Sequence, residues 1–88
     1  MAKVFMKLRV MPKDVEVDLE KLKERIKEVA PQEVEITDFG IQPIAFGLKA
    51  LLVAAVMPDE GEIGDKFVET IQKIDEVESV EIETQELV

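Results

Sequence analysis

Twenty Asp and Glu residues dominate the chemistry open to this chain, because it contains no His and no Cys. Imidazole acid/base chemistry, thiolate nucleophiles and the ordinary zinc sites are excluded together, which leaves oxygen donors as the only ligands for a metal. Asp59 with Glu62, and Glu60 with Asp65, are spaced like acid/base pairs. Their setting reads instead as the start of a helix, where acids favour the helix dipole and stay solvated. The only side-chain hydroxyls are Thr37, Thr70, Ser79 and Thr84, since Tyr is absent, and none has the base that activates a nucleophile. "DEGEIGD" (59–65) echoes an acidic calcium loop but lacks the alternating ligands and terminal Glu of an EF-hand. Gly40, Gly47, Gly61 and Gly64 do not assemble into a P-loop or a dinucleotide fingerprint. The expectation is a protein that is not an enzyme, with no cofactor and no metal.

Charge narrows the partners. The net formal charge is -9, which opposes wrapping a phosphate backbone. Up to residue 45 there are eight basic residues against nine acids, whereas Lys49, Lys66 and Lys73 face eleven acids in the remainder, a balance of -8. Such a dipolar surface suits orientation against a protein. No direct nucleic acid contact and no membrane association are expected. The start at Met1-Ala2-Lys3 lacks a secretory hydrophobic stretch, which predicts a cytoplasmic protein.

The elements that must carry any surface follow from periodicity. At 47% hydrophobic and 35% charged residues, the 88-residue chain reads as a single globular domain over 1–88. Residues 2–11 alternate, with Val4, Met6, Leu8 and Val10 on one face and Lys3, Phe5, Lys7 and Arg9 on the other, a half-buried strand ended by Pro12. Asp18 is positioned as an N-cap for a helix in which Leu19, Leu22, Ile26 and Val29 recur, with Pro31 just beyond. "EVEITDF" (33–39) predicts a strand whose phase slips at Phe39 and Ile41, the mark of a bulge, and residues 40–46 read as the turn region. Residues 47–57 form the most apolar strand. Its two faces, Leu51, Val53, Ala55 and Met57 against Leu48, Ala50, Leu52, Ala54 and Val56, are both apolar, which predicts a central strand whose second face is covered or poorly wetted. Pattern does not choose which face meets the core. After Pro58 a second helix places Ile63, Phe67, Ile71 and Ile74 at helical spacing, and Val80, Ile82 and Thr84 alternate with Glu81 and Glu83 in a last strand.

The order βαββαβ is the split βαβ pattern of a ferredoxin-like α+β sandwich: a four-stranded antiparallel sheet, two helices on one face, and the first and third strands central. That architecture hosts many activities and by itself assigns none.

"PIAFGLKALLV" (43–53) carries the functional signal. In one reading Pro43 stiffens a hairpin, Gly47 permits its turn and Phe46 folds back on the core. In the other Phe46 stands out on a rigid turn as a binding anchor. Lys49, the one basic residue of this segment in an acidic half, and the basic outward face of the first strand favour the second reading.

At this segment the chain resembles the archaeal elongation factor 1-beta family, exchange factors for the translational GTPase elongation factor 1-alpha. "PIAFGLKAL" (43–51) is similar to the most distinctive sequence of that family. "VMP" (10–12), "VDLEKLK" (17–23) and "VESVEIE" (77–83) extend the similarity over essentially the whole chain. The resemblance implies a ferredoxin-like domain that promotes exchange of GDP for GTP by stabilising the nucleotide-free GTPase. It implies that Phe46 is the aromatic pressed into the partner and that Pro43, Ile44, Ala45 and Gly47 shape its loop, with Lys49 beside it. The chain departs from the family at its end. Eukaryotic relatives place a Lys beside the C-terminal residue, near the partner's Mg²⁺, and archaeal members often have Arg there. Here the tail is "ETQELV", with Glu86 and no basic residue after Lys73, so displacement of Mg²⁺ by a terminal Lys does not transfer. A small-molecule-sensing regulatory domain is the alternative, and an RNA-associated domain fits an acidic chain poorly.

Overall fold

The computed structural model describes residues 2–88. Its elements are β1 (Lys3–Pro12), α1 (Leu19–Val29), β2 (Glu35–Ala45), β3 (Leu48–Pro58), α2 (Ile63–Gln72) and β4 (Val77–Leu87). The strands form one antiparallel sheet in the order β2-β3-β1-β4, with β1 and β3 central. This is the ferredoxin-like α+β arrangement.

The alternation in β1 is realised without slip. Val4, Met6, Leu8 and Val10 are buried and pair with Met57, Ala55, Val53 and Leu51 of β3, so the faces of the two central strands align. Leu22 and Ile26 of α1 and Phe67 and Ile71 of α2 join those residues in one hydrophobic cluster. The Leu51 face of β3 is therefore the one that meets the core. No helix lies on the other face, so of the two expectations for it, covered or poorly wetted, the second holds. Ala50 is buried there by its neighbours, while Leu48, Leu52, Ala54 and Val56 are half-buried. Arg9 and Gly40 pair on either side of Leu52, and Phe5 pairs with Val56. Adjacent side chains on the pleat thus limit wetting without a covering layer.

Local signals start and stop the helices. Asp18 Oδ1 accepts hydrogen bonds from the Glu20 and Lys21 amides (2.9 and 3.4 Å), satisfying donors that the first turn leaves orphaned. Ala30, before Pro31, has left helical geometry with ψ 136. α2 ends at Gln72, short of Ile74, yet Ile74 is buried in the turn that follows. Neither helix is long and apolar enough to cross a membrane.

The edge strands depart from simple alternation. In β2 the extra residue is Thr37, between the pairs Ile36–Ala55 and Asp38–Ala54, slightly earlier than the phase slip suggests. The bulge returns Phe39 to the core side, opposite Val53, where Lys23 and Lys27 of α1 lie 5.9 and 5.7 Å from its ring centroid. Residues 40–45 are strand rather than turn: Gly40, Ile41, Gln42, Pro43 and Ala45 all pair with β3. Pro43 is tolerated because β2 is an edge strand. In β4 the bulge at Glu83 turns Thr84 toward Lys7 on the free face, so it does not share a face with Val80 and Ile82.

Removing the fully buried Phe67 ring in Phe67→Ala is expected to cost about 3–5 kcal/mol in urea unfolding. Asp18→Ala is expected to cost about 1 kcal/mol through its cap. A Phe67→Ala loss below that of Asp18→Ala would contradict this picture of the core.

Candidate functional site

Pairing of β2 with β3 continues out to Ala45 and Leu48, which leaves Phe46 and Gly47 as the whole connection. A two-residue link between right-twisted antiparallel strands favours turns with positive φ, and the type I′ form needs it at both positions. Phe46 has φ 53 and Gly47 φ 81. Gly47 adopts this without penalty and belongs to the turn rather than to β3. Phe46 is the only non-glycine with positive φ among the described residues. A bulky side chain is an outlier in the left-handed region, where a residue other than Gly costs on the order of 1–3 kcal/mol.

That strain is not offset by packing. Phe46 has a relative exposure of 102%, so its ring touches nothing in the chain that shields it. Of the two readings of this aromatic, the structure places it outside. The surrounding hairpin is equally open, since all of residues 41–47 are exposed. Phe39 is the last β2 side chain packed against the core cluster, and the strand beyond it is held chiefly by β3.

The sequence-predicted residues divide by face. Pro43 pairs with Lys49, and Lys49 shares the helix side of the sheet with Leu51. Ile44 is the extra residue of a second β2 bulge, between the pairs Pro43–Lys49 and Ala45–Leu48. Ala45 closes the turn opposite Leu48. Pro43, Ile44, Ala45, Phe46, Gly47 and Lys49 are thus brought together at one end of the hairpin, all exposed. The basic row of β1 does not join them. It lies on the opposite, free face, and Arg9 is committed to Glu81 at 2.7 Å and Glu83 at 3.9 Å. Only Lys3 and Lys7 of that row lack an ion pair among the described residues.

Two apolar residues that motif reasoning passed over belong to the same end. Val15, in the β1–α1 loop, and Ile41, on the helix side of β2, are exposed at 60% and 47%. They line a recess of about 340 Å³ together with Pro12, Val17, Leu19, Gly47 and Lys49. Val15 sits among acids in "KDVEVD", outside the helical run that begins at Leu19, and nothing local in the sequence signals that it neighbours the hairpin. A larger depression of about 880 Å³ runs along α1 and the α2–β4 corner, but Ile74 is the only apolar residue in its wall. Small-molecule sites are mostly apolar, so this solvated groove is a poor fit for one. Asp59, Glu60, Glu62 and Asp65 are all exposed, and Glu62 at the α2 N-cap position makes no side-chain cap.

The chain is thus a ferredoxin-like sandwich that carries an exposed aromatic at positive φ on a hairpin tip. Two solved structures share the fold over 98% of this chain. They are the C-terminal domain of the MgtC protein from Mycobacterium tuberculosis (TM-score 0.60, 8% identity, 87% of that chain) and the de novo designed protein Foldit4 (TM-score 0.62, 20% identity, 96% of that chain). Residues 5–88 match the family described as the EF-1 guanine nucleotide exchange domain, and the chain belongs to that family. It is 59% identical over 87 residues to elongation factor 1-beta of Archaeoglobus fulgidus, covering 99% of both chains. It is 46% identical over 84 residues to elongation factor 1-beta of Staphylothermus marinus, covering 94% of this chain and 93% of that one. The elongation factor 1-beta of Haloarcula marismortui is 40% identical over 84 residues, with 96% of each chain covered.

Because Phe46 is strained and unpacked, Phe46→Asn is expected to stabilise the fold by about 1 kcal/mol, Asn being far more at ease at positive φ. A shift of the urea midpoint to higher concentration at unchanged slope is the expected reading. Destabilisation on the scale of a core aromatic would show that the ring is packed.

Proposed function

We propose that this chain is the guanine nucleotide exchange factor of the translational GTPase elongation factor 1-alpha, and that it acts through the Phe46 turn. The single observation that carries the proposal is Phe46 itself, fully exposed at positive φ. Strain that the fold does not recover is characteristic of functional sites. Membership of the exchange-domain family supplies the class of activity.

Such a factor needs no covalent step. It must bind the nucleotide-free GTPase more tightly than the nucleotide-bound one, and linkage then weakens the nucleotide by the same factor. In the partner, Mg²⁺ and the P-loop hold the phosphates, so a contact that disfavours that arrangement releases GDP and lets GTP enter. Burial of the Phe46 ring in a partner pocket supplies roughly 1.5–3 kcal/mol, or about one to two orders of magnitude in affinity. The two-residue turn holds the ring in advance, so little backbone ordering opposes its insertion. Pro43, Ile44, Ala45 and Gly47 set the direction of approach, and Lys49 stands on the helix-side flank of the contact.

The test is release of fluorescent GDP from purified elongation factor 1-alpha. The wild-type chain should accelerate release, and Phe46→Ala should require on the order of tenfold or more protein for the same rate. Release at the spontaneous rate at every concentration of the wild-type chain would overturn the proposal.

A further inference from the structure

Four of the exposed large hydrophobic residues, Val15, Ile41, Ile44 and Phe46, lie at one end of the molecule. Phe46 projects, but Val15 and Ile41 line the adjoining recess between the β1–α1 loop and the hairpin. Its rim is acidic. Glu20 is engaged with Lys23 at 2.9 Å, whereas neither Asp14 nor Asp18 has an ion pair among the described residues. Each aspartate spends Oδ1 on a local backbone amide, Asp14 on Glu16 at 2.7 Å and Asp18 on Glu20 at 2.9 Å. The Oδ2 atoms make no recorded hydrogen bond among the described residues. Lys49 is the one cation of the lining, and the two uncommitted carboxylates outnumber it.

Exposed Val15 and Ile41 beside carboxylates that lack an ion pair match one kind of occupant, a long basic side chain that lays its methylenes on apolar surface and presents its charge to the acids. We infer that this recess is a second contact of the Phe46 interface and receives an Arg or Lys side chain of the GTPase, its stem over Val15 and Ile41 and its cation at Asp14 and Asp18. The inference rests on the exchange-factor reading. Two other occupants are disfavoured by the same charges. A second copy of the chain would set carboxylate against carboxylate, and an anionic lipid surface would be repelled. The contact runs in the opposite sense to the Phe46 contact: there this chain inserts a ring, and here it receives a side chain. Two interlocking contacts at one end fix the rotation of the partner about the hairpin, which a single aromatic anchor leaves free.

Affinity for nucleotide-free elongation factor 1-alpha, measured at low and high salt, tests this directly. In the double variant Asp14→Asn, Asp18→Asn each Asn keeps an oxygen for the local hydrogen bonds, and Asn is as good an N-cap as Asp, so the fold is retained. Its Kd should rise about tenfold at low salt, and the dependence on salt should weaken. Val15→Ala, at an exposed position, should raise Kd about three- to tenfold at both salt concentrations. Wild-type Kd and salt dependence in both variants, alongside weakened binding by Phe46→Ala, would overturn the recess contact and leave the exchange reading standing. If Phe46→Ala also bound like the wild type, the claim that exchange acts through the Phe46 turn would fall with it.

Discussion

The pairing of β2 with β3 out to Ala45 and Leu48 is the constraint from which the rest of the site follows. Had the ladder ended earlier, a longer and looser connection would let Phe46 choose an ordinary backbone conformation and fold back. With two residues left, turns of positive φ are favoured, both residues adopt it, and the aromatic stands in solvent. The ladder persists because β3 is central, with β1 on its other side and its Leu51 face in the core. The burial of Leu51, Val53, Ala55 and Met57 therefore sustains a strained turn at the far end of the same strand. Strain at the tip is small beside the hydrophobic burial along the strand, which is why the fold can hold it.

Packing and exposure are thereby separated within one hairpin. Phe39 anchors β2 to α1, through the core cluster and beneath Lys23 and Lys27, and everything from Ile41 to Gly47 lies open beyond it. Residues in that outer segment contribute little to folding and are free to be shaped by a partner. Charge is divided in the same spirit. Arg9 is neutralised by Glu81 and Glu83 on the free face, which leaves Lys3 and Lys7 as the basic residues of β1 without an ion pair among the described residues. The acids of the β1–α1 loop stay unpaired next to the hairpin tip, where an incoming protein can meet them.

Much of this was legible in the residues. Period-two alternation in Val4, Met6, Leu8 and Val10 and the 3.6 period of Leu22 and Ile26 define elements because the faces they create are buried without slip. The Asp18 cap was visible for a local reason, since it needs only the two amides that follow. The edge strands were harder. Where Thr37 and Glu83 bulge, alternation fails, and the pairing that decides their faces lies dozens of residues away. The extent of β2 was missed because Gly40 and Pro43 read as turn residues, although an edge strand accommodates both. Apolar residues on both faces of β3 leave open whether its second face is covered or only poorly wetted, and flanking side chains such as Phe5 and Arg9 produce the latter. The motif 43–51 drew attention to the hairpin, but the left-handed backbone of Phe46 depends on a register that no single residue announces. Val15 and Ile41 escaped for the same reason, because only the folded chain brings the β1–α1 loop beside the hairpin.

The central claim is that the hairpin tip prefers the GTPase without its nucleotide, and the most direct measurement is the equilibrium Kd of this chain for nucleotide-free and for GDP-bound elongation factor 1-alpha under one set of conditions. Their ratio is, by linkage, the factor by which the chain weakens GDP binding. The account predicts much tighter binding to the nucleotide-free GTPase. Equal affinity for the two forms would contradict it, however tight the binding, because a ligand indifferent to the two states shifts neither.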